Sequence, residues 1–179
     1  MKKLKENVFN VIVGIISMEE FEAWLYSDSF VIKNALENEL VLEILLVNLK
    51  TRDSFQELEA LCFRFFSREE FLIYQTQHVA KVMEEKGHTF EVEKWISTIA
   101  NYYDHKEPEE LLYHFESLSC LLDYGATYYG YNRAYLNNEV RIFGRRIQKT
   151  FENLNLEEKI ECFKSGELIE ISYLKCARA

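Results

Sequence analysis

The chain has 179 residues and a net charge of −9, with 30 acidic against 21 basic residues. Its apolar fraction of 48% is too high for a disordered acidic tail, and one proline with six glycines supplies too few turn residues for a β-sandwich or barrel. The acidic balance disfavours direct nucleic-acid binding, which depends mainly on Lys and Arg. The length and composition predict a single helical domain over residues 1–179.

Signals for helix ends recur along the first half of the chain. The first helical stripe of apolar residues comprises Leu4, Val8, Val11, Ile12 and Ile15. Gly14 is placed to end this helix. Ser17 and Glu20 form a capping box for the next helix. The same Ser-x-Glu-Glu-Phe pattern returns at Ser67 and Glu70, which predicts another helix start there.

The segment between these starts predicts two helices. Residues 38–50 are apolar almost all round, apart from a thin polar strip that contains Glu39 and Glu43, which is typical of a helix in the middle of a bundle. The following stripe comprises Phe55, Leu58, Leu61, Cys62 and Phe65. Ser54 and Glu57 are predicted to cap it.

Three further stripes follow Ser67. They comprise Leu72, Val79 and Met83, then Val92, Trp95, Ile96, Ile99 and Tyr103, and then Leu111, Phe115, Leu118 and Leu122. Gly87 is placed to end the first of these helices, and Pro108 suits the first turn of the third.

Residues 123–137 interrupt the helical pattern with two of the six glycines and five of the eleven tyrosines. A helical face then returns with Val140, Phe143, Ile147, Phe151 and Leu154. Asn155 and Glu158 start a short last helix that runs to Gly166, and residues 168–174 form either a strand or an extended covering segment. The predicted fold is therefore a single all-α bundle of about eight helices.

The cysteine and hydropathy patterns indicate a cytoplasmic protein. Cys62, Cys120, Cys162 and Cys176 form no C-x-x-C pair, so a zinc or thioredoxin-type site is not indicated. Cys62 and Cys120 fall on or near apolar helix faces, which predicts buried thiols in a reducing compartment. The apolar stretch of residues 11–16 is too short for a signal peptide, and no run of apolar residues is long enough to span a bilayer.

The histidines are the first candidates for catalysis or metal binding. Glu110 and His114 stand four residues apart, with His105 shortly before them, but His114 lies on an apolar face and is predicted to be a partly buried core histidine. Glu85 and His88 have the E-x-x-H spacing of carboxylate-bridged di-iron bundles, yet Gly87 ends the helix between them. Motifs of hydrolases, metalloproteases and nucleotide-binding proteins are absent from the sequence. We therefore predict no enzyme activity and no catalytic, cofactor-binding or metal-binding residue.

Two surface features remain. Arg141, Arg145 and Lys149 form a basic strip, which is predicted to be a solvated helix face with salt bridges to acidic neighbours. The tyrosine-rich segment allows two interpretations. It is either a recognition loop, since tyrosine is enriched at binding surfaces, or an irregular connection whose tyrosines pack inward.

The N-terminal part carries a family resemblance. Residues 14–26 read Gly-Ile-Ile-Ser-Met-Glu-Glu-Phe-Glu-Ala-Trp-Leu-Tyr, and a short acidic turn and an apolar helix follow. This stretch resembles the opening of small acidic helical immunity proteins that are encoded beside bacterial polymorphic toxins, including those of contact-dependent growth inhibition systems. The resemblance implies a cytosolic protein that binds a toxin domain, often a nuclease, and occludes its active site. It carries over no catalytic residue and no interface position.

Charge and tyrosine content suggest where such a partner binds. Residues 91–116 carry two basic and seven acidic residues, which suits a basic nuclease surface and fast association with it. The predicted contact residues are Asp104, Glu107, Glu109, Glu110, Tyr128, Tyr129 and Tyr131. The alternatives are a helical adaptor or regulatory protein that binds another cellular protein and, third, a metal-dependent helical-bundle enzyme. No cofactor, membrane or direct nucleic-acid partner is expected.

Overall fold

The structure, a computed structural model, describes residues 2–102, 104, 109–128 and 130–165. This part of the chain contains helices and no strand, which confirms the all-α prediction. Its ten helices are α1 (Lys2–Ile12), α2 (Met18–Ser27), α3 (Ser29–Asn34), α4 (Glu39–Leu46), α5 (Ser54–Phe65), α6 (Arg68–Lys86), α7 (Phe90–Ala100), α8 (Glu110–Tyr128), α9 (Arg133–Phe151) and α10 (Leu156–Ser165). Tyr103, Pro108 and the predicted C-terminal segment 168–174 lie outside the described residues.

None of the helices in this described part combines the length and the apolar content that a membrane crossing requires. The chain divides into two compact units, one ending at Phe71 and the other beginning at Leu72. The boundary lies within α6, so α1–α5 belong to the first unit and α7–α10 to the second. The single domain over residues 1–179 stays a prediction.

An aromatic cluster forms part of the core of the first unit. The ring of Phe9 lies 5.5 Å from that of Phe66 and 5.2 Å from that of Phe71, and both pairs meet edge to face. This geometry is the one that aromatic quadrupoles favour. Lys5 of α1 forms an ion pair with Glu70 at the start of α6. The cluster thus joins α1 to the segment that begins α6.

The predicted boundary between α1 and α2 is confirmed. Gly14 has a φ of +75°, which glycine adopts without a Cβ penalty. The amide of Ile15 donates to the carbonyl oxygen of Asn10 at 2.8 Å, closing α1 in a Schellman arrangement. The amide of Glu20 then donates to Ser17 Oγ at 3.1 Å, and the amide of Ser17 donates to the Glu20 carboxylate at 2.7 Å. This is the complete capping box that the sequence predicts.

Two predictions about α4 and α5 are wrong. The helix predicted over residues 38–50 ends at Leu46, and its side chains Leu42 and Leu46 are exposed to solvent rather than enclosed in a bundle. The predicted cap of α5 is also displaced by one residue. Asp53 is the N-cap, with no capping bond from its side chain. Ser54 is the first helical residue and is buried, and its amide donates to the carbonyl oxygen of Thr51 in the preceding turn.

Close backbone contact fixes α9 against α6 in the second unit. Gly144 of α9 faces the backbone of Ala80 and Glu84, where no Cβ atom would fit without a shift. Arg141 donates from Nη1 to the carbonyl oxygen of Glu84 near the end of α6. The amide of His88 donates to Asn137 Oδ1 at 3.0 Å. These bonds satisfy polar groups at a helix end that would otherwise lack intrahelical partners.

The segment 123–137 is more helical than predicted. α8 continues through Gly125 to Tyr128, and α9 begins at Arg133 with Asn132 as its cap. Gly125 is tolerated within α8 because Leu136 and Tyr131 pack against it. The irregular connection is therefore short, and most of the tyrosines lie on helices.

Candidate protein-binding surface

α8 carries the predicted contact residues at its two ends. Glu110 is its first residue and Tyr128 its last, which places them about 27 Å apart along the helix axis. Asp104 is exposed and Glu109 is partly buried just before the helix. The structure therefore does not bring the acidic residues and the tyrosines together. Glu107 and Tyr129 lie outside the described residues.

Two tyrosines of α8 form an exposed pair. Tyr124 is 51% exposed and Tyr128 is 74% exposed, and their ring centroids lie 5.7 Å apart. Tyr131, by contrast, is partly buried and its ring lies 4.6 Å from that of Tyr135. Tyr124 and Tyr128 are thus exposed, as a recognition role requires, whereas Tyr131 is partly buried, as inward packing requires. Tyr124 is one of the five tyrosines of the proposed recognition loop but is not among the predicted contact residues, although its spacing of four from Tyr128 marks a shared face once the segment is helical.

A continuous ridge leads along α8 to this pair. Glu116, Cys120, Tyr124 and Tyr128 follow one another at intervals of four residues, and Asp123 is exposed beside them. We call these five residues the tyrosine ridge. Cys120 is exposed, which makes the prediction of a buried thiol wrong for this residue because it lies on the outer face of α8.

The tyrosine ridge has a negative electrostatic environment. Partial burial raises the pKa of the Cys120 thiol, and the carboxylates of Glu116 and Asp123 raise it further because they disfavour a thiolate nearby. Exposed aromatic rings next to negative charge suit a partner that offers apolar contact and basic side chains.

Of the histidine candidates, the structure describes His114 and His88, each beside its own carboxylate, while His105 lies outside the described residues. His114 is buried on α8, with Nε2 3.7 Å from a carboxylate oxygen of Glu110. His88 follows the end of α6, as predicted, and its Nε2 lies 3.1 Å from a carboxylate oxygen of Glu93. Among the described residues, no group of three or more His, Cys, Asp or Glu side chains is placed to hold a metal ion.

His78 of α6 has an aromatic neighbour. Its ring centroid lies 5.0 Å from that of Trp95 in α7, and burial lowers its pKa because the imidazolium would lose hydration. Lys81 and Lys86 lower that pKa further. This environment favours the neutral ring and is that of a packed histidine.

The basic strip of α9 is held by α6. Arg145 Nε donates to a carboxylate oxygen of Glu84 at 2.8 Å, and Gln148 donates to the other oxygen of the same carboxylate. Arg141 donates to the Glu84 carbonyl oxygen. The predicted salt bridge to an acidic neighbour is therefore confirmed, and part of the strip's charge is neutralised within the second unit.

Comparison with known proteins adds no assignment. No protein-family model matches the chain, and no curated protein or solved structure matches it significantly. The function is therefore inferred from the geometry of α8 and from the resemblance of residues 14–26.

Proposed function

We propose that this chain is a cytoplasmic immunity-type protein that binds a toxin domain, a basic nuclease being the best match, and covers its active or substrate-binding surface. The observation that carries the proposal is the exposed pair Tyr124 and Tyr128 on an acidic ridge of α8. The resemblance of residues 14–26 to immunity proteins supports it.

The tyrosine pair has the properties of an interface anchor. Tyrosine offers a large amphipathic surface with few rotatable bonds, so its immobilisation costs little conformational entropy. Tyrosine is accordingly enriched among the hot-spot residues of protein interfaces, whose truncation weakens binding most. A pair held on one helix face by a spacing of four is preorganised for such a contact.

The acidic residues near the other end of α8 supply steering. A nuclease presents positive charge to its phosphate-bearing substrate, and an inhibitor with acidic residues is attracted to the same surface. A standard interface buries about 800 Å² on each partner, which corresponds to a patch about 30 Å across. Glu110 and Tyr128, at the two ends of α8, therefore fit within a single interface.

Co-expression with the neighbouring upstream open reading frame tests the proposal. We expect that reading frame to arrest growth alone and the chain to restore growth. The double variant Tyr124→Ala/Tyr128→Ala should lose protection at equal protein level. Tyr26→Ala is the matched control, since Tyr26 is an exposed tyrosine of α2 in the first unit. A non-toxic neighbour that binds the chain through the same pair would favour the adaptor, and protection that survives the double variant would exclude the tyrosine ridge.

A further inference from the structure

The outward face of α4 combines leucines with carboxylates. Leu42 is 39% exposed and Leu46 is 74% exposed, and they stand four residues apart. At 100° per residue, Glu39, Leu42, Glu43 and Leu46 share an arc of about 100° on the helix. Leu40, Val41 and Ile44 occupy the opposite side and are buried. α4 is therefore apolar on its inner face and partly apolar on its outer face.

Further exposed apolar side chains lie before α4 and on helices that contact it. Leu36, just before the cap of α4, is 90% exposed. Ile32 and Phe55 are exposed on α3 and α5, the two helices that pack against α4. A single exposed leucine is ordinary on a protein surface, whereas several on one helix and its neighbours indicate an interaction surface. We call Leu36, Glu39, Leu42, Glu43 and Leu46 the α4 surface.

We propose that the α4 surface binds a basic amphipathic helix of a partner protein. Leu42 and Leu46 offer the apolar contact that the i, i+3, i+4 anchors of such a helix require. Glu39 is exposed beside them and matches a flanking lysine or arginine of the partner, whereas Glu43 is already paired with Arg64 of α5. The chain up to Phe71 carries thirteen acidic and eight basic residues, so the charge of the whole first unit has the complementary sign.

The same charges argue against two other occupants. A symmetric dimer through the α4 surface would bring the Glu39 carboxylates of both copies into one interface, and like charges at an interface are unfavourable. Cytoplasmic membrane surfaces are negatively charged and would also repel these carboxylates. Arg64 of α5 pairs with Glu43 and leaves the charge of Glu39 at the edge of the surface.

This inference goes beyond the proposed function. The α4 surface belongs to the first unit and the tyrosine ridge to the second, and the α4 surface requires no toxin as its partner. Loss of protection in the tyrosine variant would leave the α4 surface unaffected. Loss of peptide binding at the α4 surface would leave the toxin proposal standing.

Titration of the full-length chain with a synthetic helical peptide tests the inference. The probe has leucines at i, i+3, i+4 and i+7 with lysines on both flanks, and its comparison peptide has glutamate in place of every lysine. Calorimetry should detect binding of the lysine peptide alone. The double variant Leu42→Ser/Leu46→Ser should weaken binding about tenfold or more, because two buried leucine contacts are lost. Glu39→Lys should weaken binding and reduce its salt dependence.

Phe90→Ser is the control, since Phe90 is an exposed apolar residue of the second unit. It should leave the affinity unchanged, and circular dichroism should show that every variant retains the native helix content. The inference is overturned if the leucine double variant and Glu39→Lys both bind the lysine peptide as the parent chain does. It is also overturned if the two peptides bind equally, or if the free chain forms a dimer that the leucine double variant abolishes.

Discussion

A Cβ atom placed on Gly144 of α9 would lie 2.5 Å from the carbonyl oxygen of Ala80 in α6. It would also lie 2.8 Å from the Met83 Cβ, so neither neighbour can yield without a shift of a whole helix. We expect Gly144→Ala to lower the free energy of unfolding by about 1–3 kcal/mol, because overpacking outweighs the better helix propensity of alanine. Urea denaturation measures this change.

Gly125→Ala is the matched control, since Gly125 is also a buried glycine within a helix. Its nearest neighbours are side-chain atoms, Leu136 Cδ2 at 3.2 Å and Tyr131 Cδ2 at 3.3 Å. Such atoms move by a few tenths of an ångström at small cost, so the loss of stability should be clearly smaller than for Gly144→Ala. Equal losses in the two variants would show that the backbone contact with Ala80 is not the cause.

Asp28 connects α2 to α3 and responds to pH. Its carboxylate caps α3 by accepting from the amide of Phe30 at 2.9 Å and accepts from Lys3 Nζ at 2.6 Å. The bond from Lys3 lowers the pKa of this carboxyl below its ordinary value of 3.8. The folded chain therefore binds fewer protons here than the unfolded chain. The stabilisation is present above the ordinary pKa and is lost as the pH falls through the lowered value.

The variant Asp28→Asn isolates this charge because it retains an oxygen acceptor for the amide of Phe30. We expect its urea midpoint to lie below that of the parent chain at pH 7 and to approach it as the pH falls through the lowered pKa, where the parent carboxyl becomes protonated. Lys3→Met should show the same pattern. A constant difference between Asp28→Asn and the parent chain across this range would contradict the role assigned to Lys3.

The cysteines should differ in reactivity according to burial. Cys62 is fully buried, and burial raises its pKa to about 12, while Cys120 is exposed on the tyrosine ridge. We expect iodoacetamide to alkylate Cys120 and spare Cys62 in the native chain at about pH 8, since the thiolate is the reactive form. Labelling of Cys120 should keep accelerating above the ordinary thiol pKa of 9.0, because its own pKa is raised and deprotonation is still incomplete there.

Peptide mapping by mass spectrometry measures both sites in one sample. The buried Cys162 serves as a second protected thiol, and unfolding in urea should make all three residues react. Alkylation of Cys62 at the rate of Cys120 in the native chain would contradict the packing of α5.

The helix ends were the most predictable part of the fold because capping is local. Asn155 and Glu158 exchange the reciprocal bonds that their spacing predicts, at 2.8 and 3.1 Å. The predicted cap of α5 was displaced because the turn before it places Ser54 inside the helix and Asp53 at the N-cap. A capping pattern therefore identifies a helix start. Which of two neighbouring residues becomes the N-cap depends on the turn before the helix.

Exposure was harder to predict than helicity. Residues of α4 are apolar on most sides, and only the positions of α3 and α5 determine that Leu46 faces solvent. The two glycines among the tyrosines of residues 123–137 suggested a loop. Gly125 nevertheless lies within α8, where Leu136 packs against it. The exposed pair Tyr124 and Tyr128 therefore required tertiary packing to be known, while the acidic contact residues stay a prediction from composition.

Charge reversal at the start of α8 tests the steering role of its acidic residues. With the toxin domain identified by co-expression, Glu109→Lys/Glu110→Lys should slow association about tenfold at low salt and weaken its salt dependence, while dissociation changes less. Glu110→Gln separates charge from the contact with His114, whose Nε2 lies 3.7 Å from its carboxylate. Lysine at a helix N-terminus also opposes the helix dipole, so thermal unfolding of each variant must accompany the kinetics.

Glu157→Lys is the control for these kinetics, because Glu157 is an exposed acid in the first turn of α10. It changes the net charge and the dipole environment in the same direction at the start of a different helix. If association depends on the local field near Glu109 and Glu110, this control retains nearly the parent rate. If Glu157→Lys slows association as much per unit charge as Glu109→Lys/Glu110→Lys does, the partner is steered by the overall net charge of −9. The start of α8 then has no special part in recognition.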